Sequence, residues 1–113
     1  MLISVASFLL LLTSCSSSDN SALTGRYLKT NESHMLIDEH GGPIVMRTES
    51  DKEYLFKDLQ NGDKINITCG AILESYPAQC TIYSLKLIAT GTIENIPKST
   101  LDSLKEMGWI DNY

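Results

Sequence analysis

The chain has 113 residues, room for one domain and no more once any targeting segment is subtracted. Apolar residues make up 42%, too many for a disordered tail, but aromatics supply only 7%, so a core must come from Ile, Leu, Val and Met. The formal net charge is −5 with no cluster of Lys or Arg, a balance that repels phosphate backbones, and nucleic acid is therefore not expected among the partners.

Met1 to Leu12 reads MLISVASFLLLL and carries no charged side chain. This run is too short to span a bilayer, which takes roughly 20 residues, and has the length of a signal-peptide h-region. The next four residues, Leu12-Thr13-Ser14-Cys15, resemble the bacterial lipobox: Leu, two small residues, then Cys. The resemblance implies a signal peptide over 1–14 and diacylglycerol in thioether linkage on Cys15. It further implies cleavage before that residue, and often acylation (palmitate or a similar chain) of the new N-terminus. Thiolate chemistry suits the step, and two or more acyl chains hold a protein stably on a membrane where one does not. An ordinary secretory peptide with a chance cysteine is the competing reading. Ser16 to Ser21 is small and polar, so 15–24 is expected to be the lipidated residue and a flexible tether, with the folded domain over 25–113. The address is then the cell envelope, at the outer face of the cell membrane or in an outer membrane.

Gly25 to Lys29 is expected to be a first strand. Met35–Glu39 and Pro43–Arg47 flank His40-Gly41-Gly42 and form a hairpin pattern. Ser50 to Asp58 is charged around Tyr54, Leu55 and Phe56, a strand or a short helical turn. Asn61-Gly62-Asp63 is a turn that opens Lys64 to Cys69, where polar and apolar residues alternate as in a half-buried strand. Cys80 to Ile88 is rich in β-formers. A helix closes the chain, with Ser99 expected as N-cap, Asp102 three residues on, an apolar stripe of Leu101, Leu104 and Met107, and a Schellman ending in which Gly108 is C′ and Trp109 packs on Leu104. The fold class is mainly β, and about five strands with one C-terminal helix suit a small OB-like barrel. A two-sheet sandwich is the competitor.

The stretch Gly62-Asp63-Lys64-Ile65-Asn66-Ile67, then Gly70 and Glu74-Ser75-Tyr76-Pro77-Ala78-Gln79, resembles a family of small secreted or lipid-anchored firmicute proteins with an OB-like domain of unknown function. The resemblance implies that fold and location and no activity. Cys69 and Cys80 depart from the pattern.

These two cysteines remain once Cys15 carries lipid, in a compartment that oxidises thiols. A tight turn at Tyr76–Gln79 would hold them roughly 20 Å apart, so a disulfide, which needs Cα atoms about 4.4–6.8 Å apart, requires 70–79 to be an open loop with the cysteines at its base. That disulfide is expected, with two free buried thiols as the alternative. Glu74, Ser75, Tyr76 and Gln79 are the candidate ligand- or partner-binding residues, offering an aromatic face and hydrogen-bonding ends, against a structural role for the Tyr76-Pro77 turn. His34, Asp38 and His40 share a strand face, but His34 stands about 13 Å from Asp38, which excludes a three-ligand metal site on this strand alone. No catalytic motif, metal site or cofactor signature is present. The expected function is a non-catalytic envelope module binding an unidentified protein or small ligand. An inhibitor of a secreted hydrolase is the alternative.

Overall fold

In the computed structural model, residues 21–113 are described. The signal segment, Cys15 and residues 16–20 of the expected tether lie outside the described residues.

Five strands carry the fold: β1 (Ser21–Lys29), β2 (His34–Asp38), β3 (Pro43–Arg47), β4 (Lys64–Cys69) and β5 (Ala78–Ala89). β1 begins at Ser21, four residues ahead of the strand start read from the sequence, because Ser21 to Thr24 pair with Cys69 to Asn66 of β4. The strands close in the order β1-β2-β3-β5-β4. Every pairing is antiparallel except β3 with β5. This is the five-stranded OB barrel, and its closure removes the sandwich alternative. Long β5 serves both neighbours, Ala78–Thr81 lying along β3 and Ile82–Ala89 along β4 with register shifts beside Thr68/Cys69 and Lys64/Ile65. Between β3 and β4 the ambiguous segment is a 3-10 turn, Ser50–Phe56, that sends Phe56 into the barrel.

The pattern of burial follows from what covers each face. β4 has one wet face, so Ile65, Ile67 and Cys69 are buried while Lys64, Asn66 and Thr68 face outward. In β2 and β3 both faces are dry. Leu36, Ile44 and Met46 enter the barrel beside Tyr27, Ile65, Ile67 and Ile82. Met35, Ile37 and Val45, with Leu28 of β1, form a second apolar layer outside it. Helix α1 (Lys98–Glu106) closes this layer with Leu101 and Leu104, and Ile96 and Ile110 flank them.

The N-cap of α1 is Pro97, so Ser99 lies in the first turn and does not cap it. The anchoring hydroxyl is that of Thr100, which donates to the Gly41 carbonyl at 2.7 Å and ties the helix start to the β2–β3 turn. The C-terminus is the expected Schellman ending: Trp109 N–H bonds Leu104 O at 2.9 Å, Gly108 N–H bonds Lys105 O at 3.1 Å, and Gly108 has φ +88°.

The turn before β4 is held by a buried carboxylate. Asp63 is 3% exposed and accepts from the Gln60 N–H at 2.9 Å and the Gly91 N–H at 3.0 Å. Gly62, at φ +96°, lies against the Thr92 backbone. The Gly62-Asp63 pair thus ties β4 to the end of β5, a physical reason for those residue types at the start of the strand.

Candidate functional site

OB barrels bind ligands on the face of strands 2 and 3 and through the β1–β2 and β4–β5 loops. Here α1 covers much of that face. What stays open is a cleft of about 470 Å³ lined by Glu32 and Ser33 of the β1–β2 loop, His34, Arg47, Glu53 and Gln79, with Trp109 among its walls.

His34 begins β2 and packs flat on Phe56, ring centroids 3.8 Å apart and planes 7° from parallel. Its Nδ1 lies 2.5 Å from the Tyr27 hydroxyl. With Tyr27 donating to Nδ1, the ring proton sits on Nε2, which faces Glu53 Oε1 at 3.9 Å. Glu53 in turn accepts from Thr48 Oγ1 at 2.8 Å. Across the cleft an Arg47 guanidinium N–H donates to Gln79 Oε1. The cleft therefore carries planar polar side chains of both charges, each oriented by a partner before any ligand arrives.

Burial, then the negative charge of Glu53, pushes the Tyr27 hydroxyl up to about 12, so it stays a donor at neutral pH. Burial, helped by the Lys29 charge and opposed by Glu53, lowers His34 below its ordinary 6.5. The folded barrel therefore holds neutral imidazole, and between the lowered value and 6.5 the unfolded chain binds the extra proton. The stability from neutral His34 is fully present above 6.5 and is lost as pH falls through the folded value. Denaturant melts at successive pH values between 7 and 4 are expected to show this loss. His34→Gln, which keeps an acceptor for Tyr27 and cannot titrate, is expected to remove that part of the pH dependence.

The structure divides the residues singled out in the sequence. Gln79 lines the cleft, whereas Glu74, Ser75 and Tyr76 stand exposed on the β4–β5 loop, where Ser75 Oγ donates to the Pro77 carbonyl at 2.8 Å. Leu73 and Gln79 bridge across that loop, and Glu74, Ser75 and Tyr76 lie in the tip beyond the bridge. No sequence motif marks Arg47 or Glu53, and in the sequence His34 stands out only beside Asp38 and His40 as a metal-ligand type. The position of Arg47 at the end of a hairpin strand was a signal, but its neighbours come from elements distant in the chain. Asp38 is a turn residue: its Oδ1 accepts from the His40 N–H at 2.9 Å and the Gly42 N–H at 2.8 Å. Among the described residues no three His, Cys, Asp or Glu side chains are grouped to hold a metal.

The expected Cys69–Cys80 disulfide is not formed. The two cysteines do stand together at the base of an open loop, but both are free thiols in the barrel interior, 0% and 4% exposed. Burial, with a hydrogen bond that the Cys80 thiol donates to Cys69 and the charge of that neighbour, raises the Cys80 thiol to about 12. Thiol exchange needs a thiolate, and the barrel interior withholds it at Cys80.

No family model matches the chain, and no curated protein matches it. Among solved structures, the crystal structure of the mitochondrial single-stranded DNA binding protein Rim1 from S. cerevisiae is similar over 67% of this chain and 99% of that one, at 11% identity and a TM-score of 0.47. Net charge does not exclude nucleic acid as a partner, contrary to the expectation drawn from it. The reason is physical: at physiological salt charges are screened beyond about 8 Å, so the sum over a chain does not give the sign at one face.

Proposed function

We propose that this chain is a lipid-anchored protein of the cell envelope whose barrel is a non-catalytic binding module for a short, hydroxyl-rich glycan segment. The anchor rests on Leu12-Thr13-Ser14-Cys15 following an uncharged apolar run. The observation that carries the binding reading is the position of the cleft. It is the part of the strand 2–3 face that α1 leaves open, bordered by the β1–β2 loop and by Gln79 just beyond the β4–β5 loop. Its volume falls within the range of small-ligand sites, about 300–1,000 Å³. Arg47, Gln79, Glu53 and His34 offer donors and acceptors in fixed planes, which suits hydroxyl groups presented on a rigid ring, and Trp109 supplies an apolar surface for that ring.

The test is an NMR titration of the barrel with soluble fragments of cell-wall glycan and, separately, with a single-stranded oligonucleotide. Glycan is expected to shift the amides of Glu32 to His34, Arg47, Thr48 and Gln79. Arg47→Ala with Gln79→Ala is expected to weaken binding by about tenfold or more, a loss of about 1.4 kcal/mol, while the fold stays intact. Amides that ignore every glycan, or that move only with the oligonucleotide, would sink the reading.

A further inference from the structure

Where the chain leaves the barrel toward Cys15 limits how the domain can sit. Ser21 pairs with Cys69, the last residue of β4, and the β4–β5 loop starts at the next residue, Gly70. Six chain steps separate Cys15 from Ser21, a reach of roughly 20 Å even at full extension. An acyl chain on Cys15 therefore holds this end of the barrel within about one strand length of the lipid.

Large apolar side chains are exposed at that end. In the β4–β5 loop Leu73 is 63% exposed and Tyr76 57%. Beside the loop's base Tyr83 is 41% exposed, and its hydroxyl lies against Gly70. Tyr83 stands out because of the register shift at Thr68/Cys69: Cys69 pairs with Ile82 and Thr68 with Ser84, which leaves Tyr83 as the extra residue. No Lys or Arg occurs in 70–77, and Glu74 is its one charge. The loop itself thus offers no cation to anionic headgroups, and the neighbouring Arg47, which lies by Ala71 and Leu73, is engaged by Gln79. A leucine with two tyrosines suits the boundary between headgroups and acyl chains, where a ring body is apolar and its hydroxyl stays wet.

We infer that the β4–β5 loop, through Leu73 and Tyr76 with Tyr83 beside them, rests in the interface of the bilayer that anchors Cys15. The inference rests on the lipid-anchor reading proposed above. The membrane then acts on the barrel twice, through the acyl chain and through this loop, and it fixes the domain's orientation where a tether alone would let it tumble.

The full chain, expressed in a host that processes lipoproteins, is purified from membranes and its intact mass read at Cys15. It is then placed in vesicles of phosphatidylethanolamine and phosphatidylglycerol and footprinted with hydroxyl radicals, which oxidise solvent-exposed side chains. The chain from Ser16 onward, which carries neither the acyl group nor the apolar leader, is mixed with the same vesicles as the reference. Oxidation of Leu73, Tyr76 and Tyr83 is expected to fall severalfold in the vesicle-bound form, equally at low and high salt. Tyr113, which lies by Lys29 at the other end of β1, is expected to be oxidised as in the reference. In the acylated Leu73→Asn, Tyr76→Ser double variant, whose changes are confined to exposed side chains, the protection of Tyr83 is expected to vanish while the melting curve is unchanged. An acylated, vesicle-bound chain with unchanged loop oxidation overturns the inference and leaves the anchor standing. Equal shielding of Tyr113 overturns it as well. A mass with no acyl group overturns the anchor and the inference together.

Discussion

Gly62→Ala is expected to cost at least about 4 kcal/mol, the range reserved for changes with a specific steric cause, and to leave the barrel largely unfolded. A Cβ built on Gly62 would stand 1.7 Å from the Thr92 carbonyl oxygen, 2.2 Å from its carbon and 2.6 Å from Thr92 N. Every one of these atoms is backbone, so no side chain can swing aside. Retreat is blocked as well: Gly62 N–H bonds Tyr27 O at 2.8 Å and Arg26 donates to Gly62 O at 3.1 Å. Thr92 N–H is held by Asn95 Oδ1 at 2.9 Å. Gly108→Ala separates the two causes of damage. Gly108 has φ +88°, close to the +96° of Gly62, but nothing lies within 4 Å of its Cβ position. Its alanine variant is expected to lose only the dihedral penalty, about 1–2 kcal/mol. Urea melts of both variants decide the matter, and equal losses would mean that close packing against Thr92 is not the cause.

The second large loss is expected from Leu104→Ala, at about 3–4 kcal/mol for a fully buried leucine. Leu104 is 0% exposed and lies in the layer where α1 meets Leu28, Met35, Ile37 and Val45. Truncation opens a void between helix and barrel that neither element can close, because α1 is tied at its start by Thr100 to Gly41. For a domain of this size the melting temperature is expected to fall by on the order of 10–20 °C. Met107, on the same helix but 45% exposed, is expected to tolerate alanine within about 0.5 kcal/mol. Calorimetry of the two variants gives the comparison. If Leu104→Ala melts like Met107→Ala, α1 is an appendage and the strand 2–3 face is not closed by it.

These two positions also show where sequence reasoning stops. Period-two alternation located β4, whose outer face meets water, and Gly108 with Trp109 announced the end of α1, because a Schellman ending is encoded within six consecutive residues. The run Pro43-Ile44-Val45-Met46 showed a strand but could not show why both its faces are apolar. The covering helix comes more than fifty residues later, and a one-sided pattern gives no sign of what lies opposite. Gly62 read as a turn residue, yet the contact that forbids a Cβ there is with Thr92, thirty residues away.

The candidate site divides in the same way. Residue types and the lipobox-like run determined by themselves the proposed address, the strand count and the interest of the loop ending at Gln79, since each depends on local chemistry. Only the tertiary structure decided that Gln79 joins Arg47, His34 and Glu53 while Glu74 and Tyr76 stand apart, and that Cys69 and Cys80 stand together as free thiols inside the barrel. Barrel closure brings residues together through strand order and register. Those are set by which apolar faces bury against one another, a property of the whole chain that no short stretch of it contains.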